Sequence, residues 1–430
     1  MRILLVAPMF PPHRGVASLR TYSFAATWAA AGHDVTVLTT PKRPDQLGLD
    51  LPITGFSVQS VPYEIPRLFE AVRRASRPAV RTLPTPTAPG RLGRGWLSAP
   101  FRWLKTRTGA FSAVRQPDLT DFWVRPAQDW ARSHSPWDSV VSSSGPPAAH
   151  LVALGLGDRT GFWMADFRDL WTANHLYSGL FPFTLAERRS EARVLMAVDG
   201  LVTVSPGLAR RLSTRSGRPA EVIFNGYDAD AFASLPAEPA FPADGRIRLV
   251  YTGTVYERGQ EVGPVCAAVA AESRATLVVA SDRSDLWSAA ARRYGLGDRL
   301  DMRGMIPRPE ALHLQRDASA LVLLDWRDPR AGVLTGKVFE YLMSPAPIWV
   351  IGGPTNSPAA ELVRTAGRGV ALGSGLERIR GAIRALPALP DGGRLVPNRD
   401  FIAGLTRQRQ ATRFLRLLEE GAATLRRTRT

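Results

Sequence analysis

The chain has 430 residues, 45% of them hydrophobic, with one cysteine, six histidines and a formal charge of +17. Such a length fits two or three domains with real cores, and a single cysteine, Cys266, excludes an internal disulfide framework and a cysteine zinc site. No apolar run approaches the roughly 18–20 residues of a membrane span, and the apolar start at 1–9 is too short for a signal peptide, so a cytoplasmic protein is expected.

Residues 2–7 read as a strand, 8–15 as a loop, 16–31 as a helix of small apolar residues closed by Gly32, and 34–39 as a second strand. A parallel βαβ start puts the loop with Gly15 at the carboxyl end of a sheet, where doubly wound folds bind ligands. One glycine is a weak nucleotide fingerprint, but it marks a place where a ligand can approach backbone.

Residues 66–115 depart from this pattern. Between 67 and 115 there are eleven Arg or Lys and one acid, Glu70, and aromatics alternate with cations at Trp96, Phe101, Arg102, Trp103 and Lys105. An interfacial patch on anionic lipid is one reading; a surface helical insertion is the other. No recognition motif accompanies the charge, so nucleic acid is not an expected partner.

A helix at 120–135 and a short strand around Val140 lead into Ser144, Gly145, Pro146 and Pro147, with His150 in the first turn of the next helix. A histidine there can hydrogen-bond a substrate hydroxyl or simply pack. The strand at 161–164 runs into Asp166, Arg168, Asp169 and Trp171 at the ligand edge. These are candidate catalytic and acceptor-contacting groups, or an internal Asp–Arg brace; spacing alone does not assign an acid and a base.

Strands at 199–204 and 221–224 flank a helix at 208–215, and a Pro/Ala-rich linker at 235–244 is the expected domain boundary. The second half repeats the alternation. A strand at 246–251 is followed by a loop, 253–259, holding Gly253, Thr254 and Arg258, the last a candidate phosphate ligand or a plain surface arginine. The strand at 320–324 leads through a glycine turn to a short helix with Gly336, Lys337, Glu340 and Tyr341, stopped by Pro345 and Pro347. A lysine behind a glycine loop suits a diphosphate, and a glutamate one turn deeper can accept from a ribose diol. A structural βαβ unit with a solvated Lys–Glu pair is the alternative. A basic amphipathic helix, 401–420, ends the chain, with Gly421 as its stop and a frayed tail beyond.

The fold class is therefore α/β, with two doubly wound Rossmann-like domains, 1–234 and 235–400, and a helix at 401–430 packing toward the first. The six histidines form no HxxxH pair, so no metal or other cofactor is expected. In this order the motifs resemble the GT-B fold glycosyltransferases of the large retaining "group 1", family-4 type. The resemblance rests on the loop with Gly15, on Ser144 to His150, on Asp166 to Trp171, on Ser205-Pro206-Gly207, on Asn225-Gly226-Tyr227-Asp228, on the 253–259 loop and on Lys337 to Tyr341.

The resemblance implies a nucleotide-sugar donor, most simply a UDP-sugar, on the C-terminal domain and a sugar or lipid-linked acceptor on the N-terminal domain. It implies that Glu340 holds the ribose and that Arg258 and Lys337 hold the diphosphate without a metal. The sequence departs from the family at two positions: Gly332 stands where the first glutamate of a pair is usual, and Thr254 where an arginine is. The expected activity is sugar transfer to a lipid-linked glycan, with peripheral contact at the inner membrane face through 66–115. A soluble acceptor of secondary metabolism and a nucleotide-sugar epimerase are the alternatives.

Overall fold

The structure is a computed structural model that describes residues 1–66, 107–257, 259–328, 332–386 and 395–429. Most of the basic, Trp-rich segment and Arg258 therefore lie outside the described residues. The described residues form two compact units. Unit 1 comprises Met1–Thr203, Leu212–Glu221 and Phe414–Thr430; unit 2 comprises Val204–Arg211 and Val222–Arg413.

In unit 1 the elements alternate: β1 (Arg2–Val6), α1 (Val16–Ala30), β2 (Asp34–Thr39), β3 (Ser57–Ser60), α2 (Asp121–Ser133), β4 (Trp137–Ser143), α3 (Ala148–Leu154), β5 (Thr160–Phe167), α4 (Phe183–Ala197) and β6 (Gly200–Thr203). Next come α5 (Pro206–Ser216) and β7 (Ala220–Val222), each divided between the units. The sheet order is β3-β2-β1-β4-β5-β6-β7. The strands pair in parallel, with Leu4 opposite both Thr36 and Val140. A parallel sheet is covered on both faces, so its strands read as continuous apolar runs; Ile3, Leu4, Leu5 and Val6 are all fully buried. The strand order reverses between β1 and β4, which places a crevice at their carboxyl ends.

Unit 2 repeats the plan with β8 (Ile247–Thr252), α6 (Gly263–Ala270), β9 (Ala275–Ala280), α7 (Ser284–Tyr294), β10 (Leu300–Met302), α8 (Arg308–Arg316), β11 (Ala320–Leu324), α9 (Gly336–Tyr341), β12 (Ile348–Ile351), α10 (Pro358–Thr365), β13 (Gly369–Gly373), α11 (Leu376–Ala385) and α12 (Arg399–Gly404). Its sheet order, β10-β9-β8-β11-β12-β13, is again parallel and doubly wound. One core lies on one face, around Leu249, Val265, Trp287 and Ile379. The other, around Val250, Leu323, Phe339 and Val363, lies on the opposite face. Among the described residues no helix is long and apolar enough to cross a membrane.

Three details differ from the sequence reading. Asp166 and Phe167 belong to β5, which runs three residues past its expected end at 164. Residues 222–234 cluster with unit 2, ahead of the 235–244 linker. The reason is hydrogen bonding: Tyr227 N donates to Leu405 O, Arg407 N to Tyr227 O, and Phe224 N to the Gln410 side chain. Finally, Gly421 does not stop the last helix, α13 (Arg407–Arg429).

That helix continues because its second half belongs to the core of unit 1. Phe414, Leu418 and Ala422 are buried, and Phe414 meets the stacked rings of Phe24 and Trp28 edge-on. Gly421 lies flat against Phe162, where an added Cβ would come within 2.2 Å of the ring. Gly381, inside α11, faces open space.

These two glycines should respond oppositely to substitution. Gly421→Leu is expected to lower stability by about 1–3 kcal/mol through overpacking. Gly381→Ala should raise it by about 0.5–1 kcal/mol through helix propensity. Urea unfolding followed by circular dichroism measures both, and a neutral Gly421→Leu would contradict the packing described.

Candidate functional site at the carboxyl edges of the two sheets

In unit 1 the carboxyl edge is organised around Asp166. Arg20, the one cation in a helix of small apolar residues, reaches from α1 and grips it with two bonds, Nε to Oδ2 at 3.1 Å and Nη2 to Oδ1 at 2.8 Å. Ser143 Oγ donates to Oδ2 at 2.8 Å. Burial pushes the Asp166 carboxyl up, but Arg20 and Ser143 outweigh it and hold it below the usual range. Asp166 was expected as a catalytic carboxylate; its oxygens are instead taken by an interior brace.

Arg168 is pinned on the preceding loop, donating from Nε to Ser144 O at 2.6 Å and from Nη2 to Gly145 O at 3.1 Å. Ser144 Oγ accepts from Arg168 N at 3.3 Å. Gly145 has a φ of 91°, and a Cβ there would lie 2.3 Å from the guanidinium. Only glycine permits both the turn and the contact.

His150 is fully buried. Its Nδ1 lies 2.8 Å from Ser142 Oγ, which also accepts from Trp163 Nε1, and its ring stacks on Phe167. Burial pushes it down to about 3, so it stays neutral. Its Nε2 is buried with no hydrogen-bond partner among the described residues. Trp171 is also turned inward: its Nε1 donates to Glu187, which Arg115 grips with two bonds. Of the expected set in this unit, Asp169 remains exposed. Desolvation by the surrounding protein still raises its carboxyl to about 6, against the pull of Arg168. Gly15, with a φ of 137°, begins α1 and faces open space.

In unit 2 the structure brings Gly253, Thr254, Gly336 and Lys337 together. Lys337 Nζ donates to Tyr251 Oη at 2.5 Å and to Thr254 O at 3.1 Å, and sits 4.1 Å from the Tyr251 ring centroid. Gly253 has a φ of 105°, and its missing Cβ would come within 3.3 Å of Lys337 Nζ. Burial pushes the ammonium down to about 7, with Asp282 working against it. This lysine is held among a phenol, a carbonyl and a ring face, with no carboxylate bonded to it among the described residues.

The short α9 is fixed under β8 by Tyr341, whose Oη accepts from Thr252 N at 2.9 Å. Glu340, one turn on, accepts from Arg308 Nε at 2.9 Å, with Arg407 Nη2 at 3.9 Å. Tyr251, Arg308 and Arg407 were not singled out in the sequence. Arg308 directly after Pro307, ahead of a helix, was a local signal; Arg407 contacts Glu340 only through the fold.

Gly332 has a φ of 66°, and a Cβ there would lie 3.0 Å from the backbone of Gly207. Its carbonyl accepts from Ser205 Oγ at 2.5 Å. A side chain at 332 is excluded by this backbone-to-backbone contact, which accounts for the glycine at the family's glutamate position. Among the described residues no group of His, Cys, Asp or Glu could hold a metal ion.

Comparison with known proteins agrees with this architecture. The family model described as a glycosyl transferase 4-like domain matches residues 17–228. The sucrose-phosphate synthase structure from Thermosynechococcus elongatus is 16% identical with a TM-score of 0.64, covering 98% of this chain and 99% of its own. Anabaena Alr3699/HepE, in complex with UDP and glucose, is 12% identical with a TM-score of 0.54, covering 100% and 98%. AviGT4, a glycosyltransferase involved in avilamycin A biosynthesis, is 14% identical with a TM-score of 0.52, covering 98% of both chains. No curated protein sequence matches. The chain thus carries a glycosyl transferase 4-like domain over residues 17–228 and has the GT-B fold of glycosyltransferases.

Proposed function

We propose that the protein transfers a glycosyl group, with retention of configuration, from a UDP-sugar to an acceptor hydroxyl of a lipid-linked glycan. One observation carries the donor assignment. Among the described residues Lys337 is a desolvated cation without a bonded carboxylate, set against Gly253 at the carboxyl end of β8, with Glu340 one turn on. A diphosphate supplies the missing negative charge, and a ribose diol supplies donors for Glu340. The UDP and glucose bound by the Anabaena neighbour support that choice.

In the reaction the bond from the anomeric carbon to the diphosphate oxygen breaks, and negative charge gathers on that oxygen. Lys337, with Arg258 as a second cation, neutralises it. The acceptor hydroxyl attacks from the face the diphosphate leaves, and its proton passes to the departing phosphate oxygen. No metal enters this scheme. In unit 1, Asp169 at the exposed edge contacts the acceptor, while Asp166, Arg168 and Trp171 hold that edge in shape. Radiolabelled UDP-sugar and a lipid extract test the acceptor: label should enter the organic phase. Label confined to soluble small molecules would favour an acceptor from secondary metabolism.

Lys337 gives a pH-dependent signature. Its free-state value of about 7 means that the ammonium is lost as pH rises above 7. A bound diphosphate favours the charged form, so binding takes up a proton there. UDP affinity should fall by up to about tenfold per pH unit above 7. Calorimetry in buffers of differing ionisation enthalpy reads this uptake. In Lys337→Met the dependence should vanish and turnover should fall about 100–1,000-fold; an unchanged profile would remove Lys337 from the phosphate site.

At the ribose end, Glu340→Gln should weaken UDP binding by roughly ten- to a hundredfold, the worth of a charged hydrogen bond. Gly332→Glu, which restores the family residue, should not raise turnover. It should instead lower stability by about 1–3 kcal/mol because of its φ and the Gly207 contact. A stable, more active Gly332→Glu protein would disprove that packing.

A further inference from the structure

We infer that the outer face of α4 is a docking surface for an anionic lipid bilayer. A surface helix normally buries its apolar stripe and exposes its charges. In α4 apolar residues lie on both faces. Its inward face carries Val194 and Leu195 together with Glu187 and Glu191, all buried, the first glutamate gripped by Arg115 and the second bonded to Arg215. Its outward face carries Leu185, Arg189, Ala192 and Met196 at spacings of four, three and four residues, one stripe of a helix.

Phe181 and Phe183 extend the stripe at its start. Phe181 is 75% and Met196 76% exposed, and Leu185 and Phe183 are also solvent-facing. Arg188 and Arg193 flank the stripe and are exposed; with Arg189 they add three cations. Among the described residues none of the three pairs with an acid. From 181 to 198 the only acids are the two turned inward, so the outer face has apolar side chains and positive charge alone.

That composition selects the partner. Aromatic and aliphatic side chains enter the acyl boundary while arginines reach the headgroups, and anionic lipid supplies the counter-charge. A second copy fits worse. In a two-fold dimer the patch meets itself, which brings six arginines together with no carboxylate between them. The chain's +17 charge points the same way. Because α4 follows β5, its Phe183 end lies at the carboxyl edge of the sheet, beside the loop with Asp169. Lipid bound there places that edge at the membrane. The surface stands on its own residues and extends the lipid-acceptor reading; vesicle binding is measured without donor, so the two can fail separately.

The test is sedimentation with phosphatidylcholine vesicles, with and without phosphatidylglycerol, at low and high salt. The full chain should bind only the anionic vesicles, more weakly at high salt. Arg188→Gln/Arg189→Gln and Leu185→Ser/Met196→Ser should each bind about tenfold more weakly, with unchanged melting temperature and UDP affinity. A polarity-sensitive dye on Met196→Cys gives a second reading, since Cys266 is buried and resists labelling. Its emission should shift on anionic vesicles alone. Absence of vesicle binding, variants that bind as tightly as the parent, a dye that does not respond, or a dimer that the variants dissolve would each overturn the inference.

Discussion

The Arg20–Asp166 contact is the constraint from which the carboxyl edge of the first sheet follows. Two opposite charges this deeply buried are costly to desolvate, and removing one partner alone leaves a charge whose burial costs about 3–5 kcal/mol. The pair therefore fixes α1 to the end of β5. Ser143 donates to the same carboxylate and Ser144 N donates to the Asp166 carbonyl, so the loop after β4 is set by the same residue. Arg168 then fastens that loop from the other side, through Ser144 O and Gly145 O. The charges that look catalytic in the sequence are mostly structural, and what they hold steady is an edge on which Asp169 stands exposed.

Among the described residues, unit 2 solves the matching problem without a buried ion pair at its glycine loop. The strand end at Thr252 is tied to α9 by the neutral Tyr341 hydroxyl, and Gln315 donates to Thr252 Oγ1. Lys337 is satisfied by a phenol and a carbonyl. A carboxylate in that place would neutralise the lysine and leave nothing for an incoming anion. Neutral acceptors hold its position without a bonded counter-charge among the described residues, which under the proposed function is preorganised for charge that appears only during reaction. Glu340 is treated oppositely, since its neighbours are the cations Arg308 and Arg407.

The architecture was legible because parallel strands buried on both faces leave unbroken apolar runs, as at 320–324, where the sequence range and β11 coincide. The grouping of Gly253 with Lys337 was legible for a related reason. Gly253 follows β8 and Lys337 opens the helix after β11, and the alternation of strand and helix fixes which strand ends share an edge. What could not be read were contacts across long separations. The partner of Asp166 is 146 residues away in sequence, and that of Gly332 is at 207. Nothing local distinguishes a carboxylate awaiting substrate from one already gripped by an arginine. The burial of His150 was hidden for the same reason, since it depends on Phe167 and Ser142. Gly421 misled because a helix-stopping residue and a close-packing residue are identical in sequence; Phe162 decides between them.

The buried acids of α4 follow from the same economy of charge. The chain from 107 to 120 and the loop after β5 must be closed against unit 1, and both offer cations and N–H groups: Arg115, Gln116 N, Trp171 Nε1 and Thr172. Carboxylates receive them with the strongest bonds, and Glu187 and Glu191 supply these from inward positions of α4. Val194 and Leu195 complete the buried side, and the remaining residues face outward. Those residues could have been lysine, glutamate and serine, as on an ordinary solvated face. They are leucine, methionine, phenylalanine and arginine, and the inward network makes no demand for them. A selection for something outside the fold accounts for that choice better than any packing requirement within it.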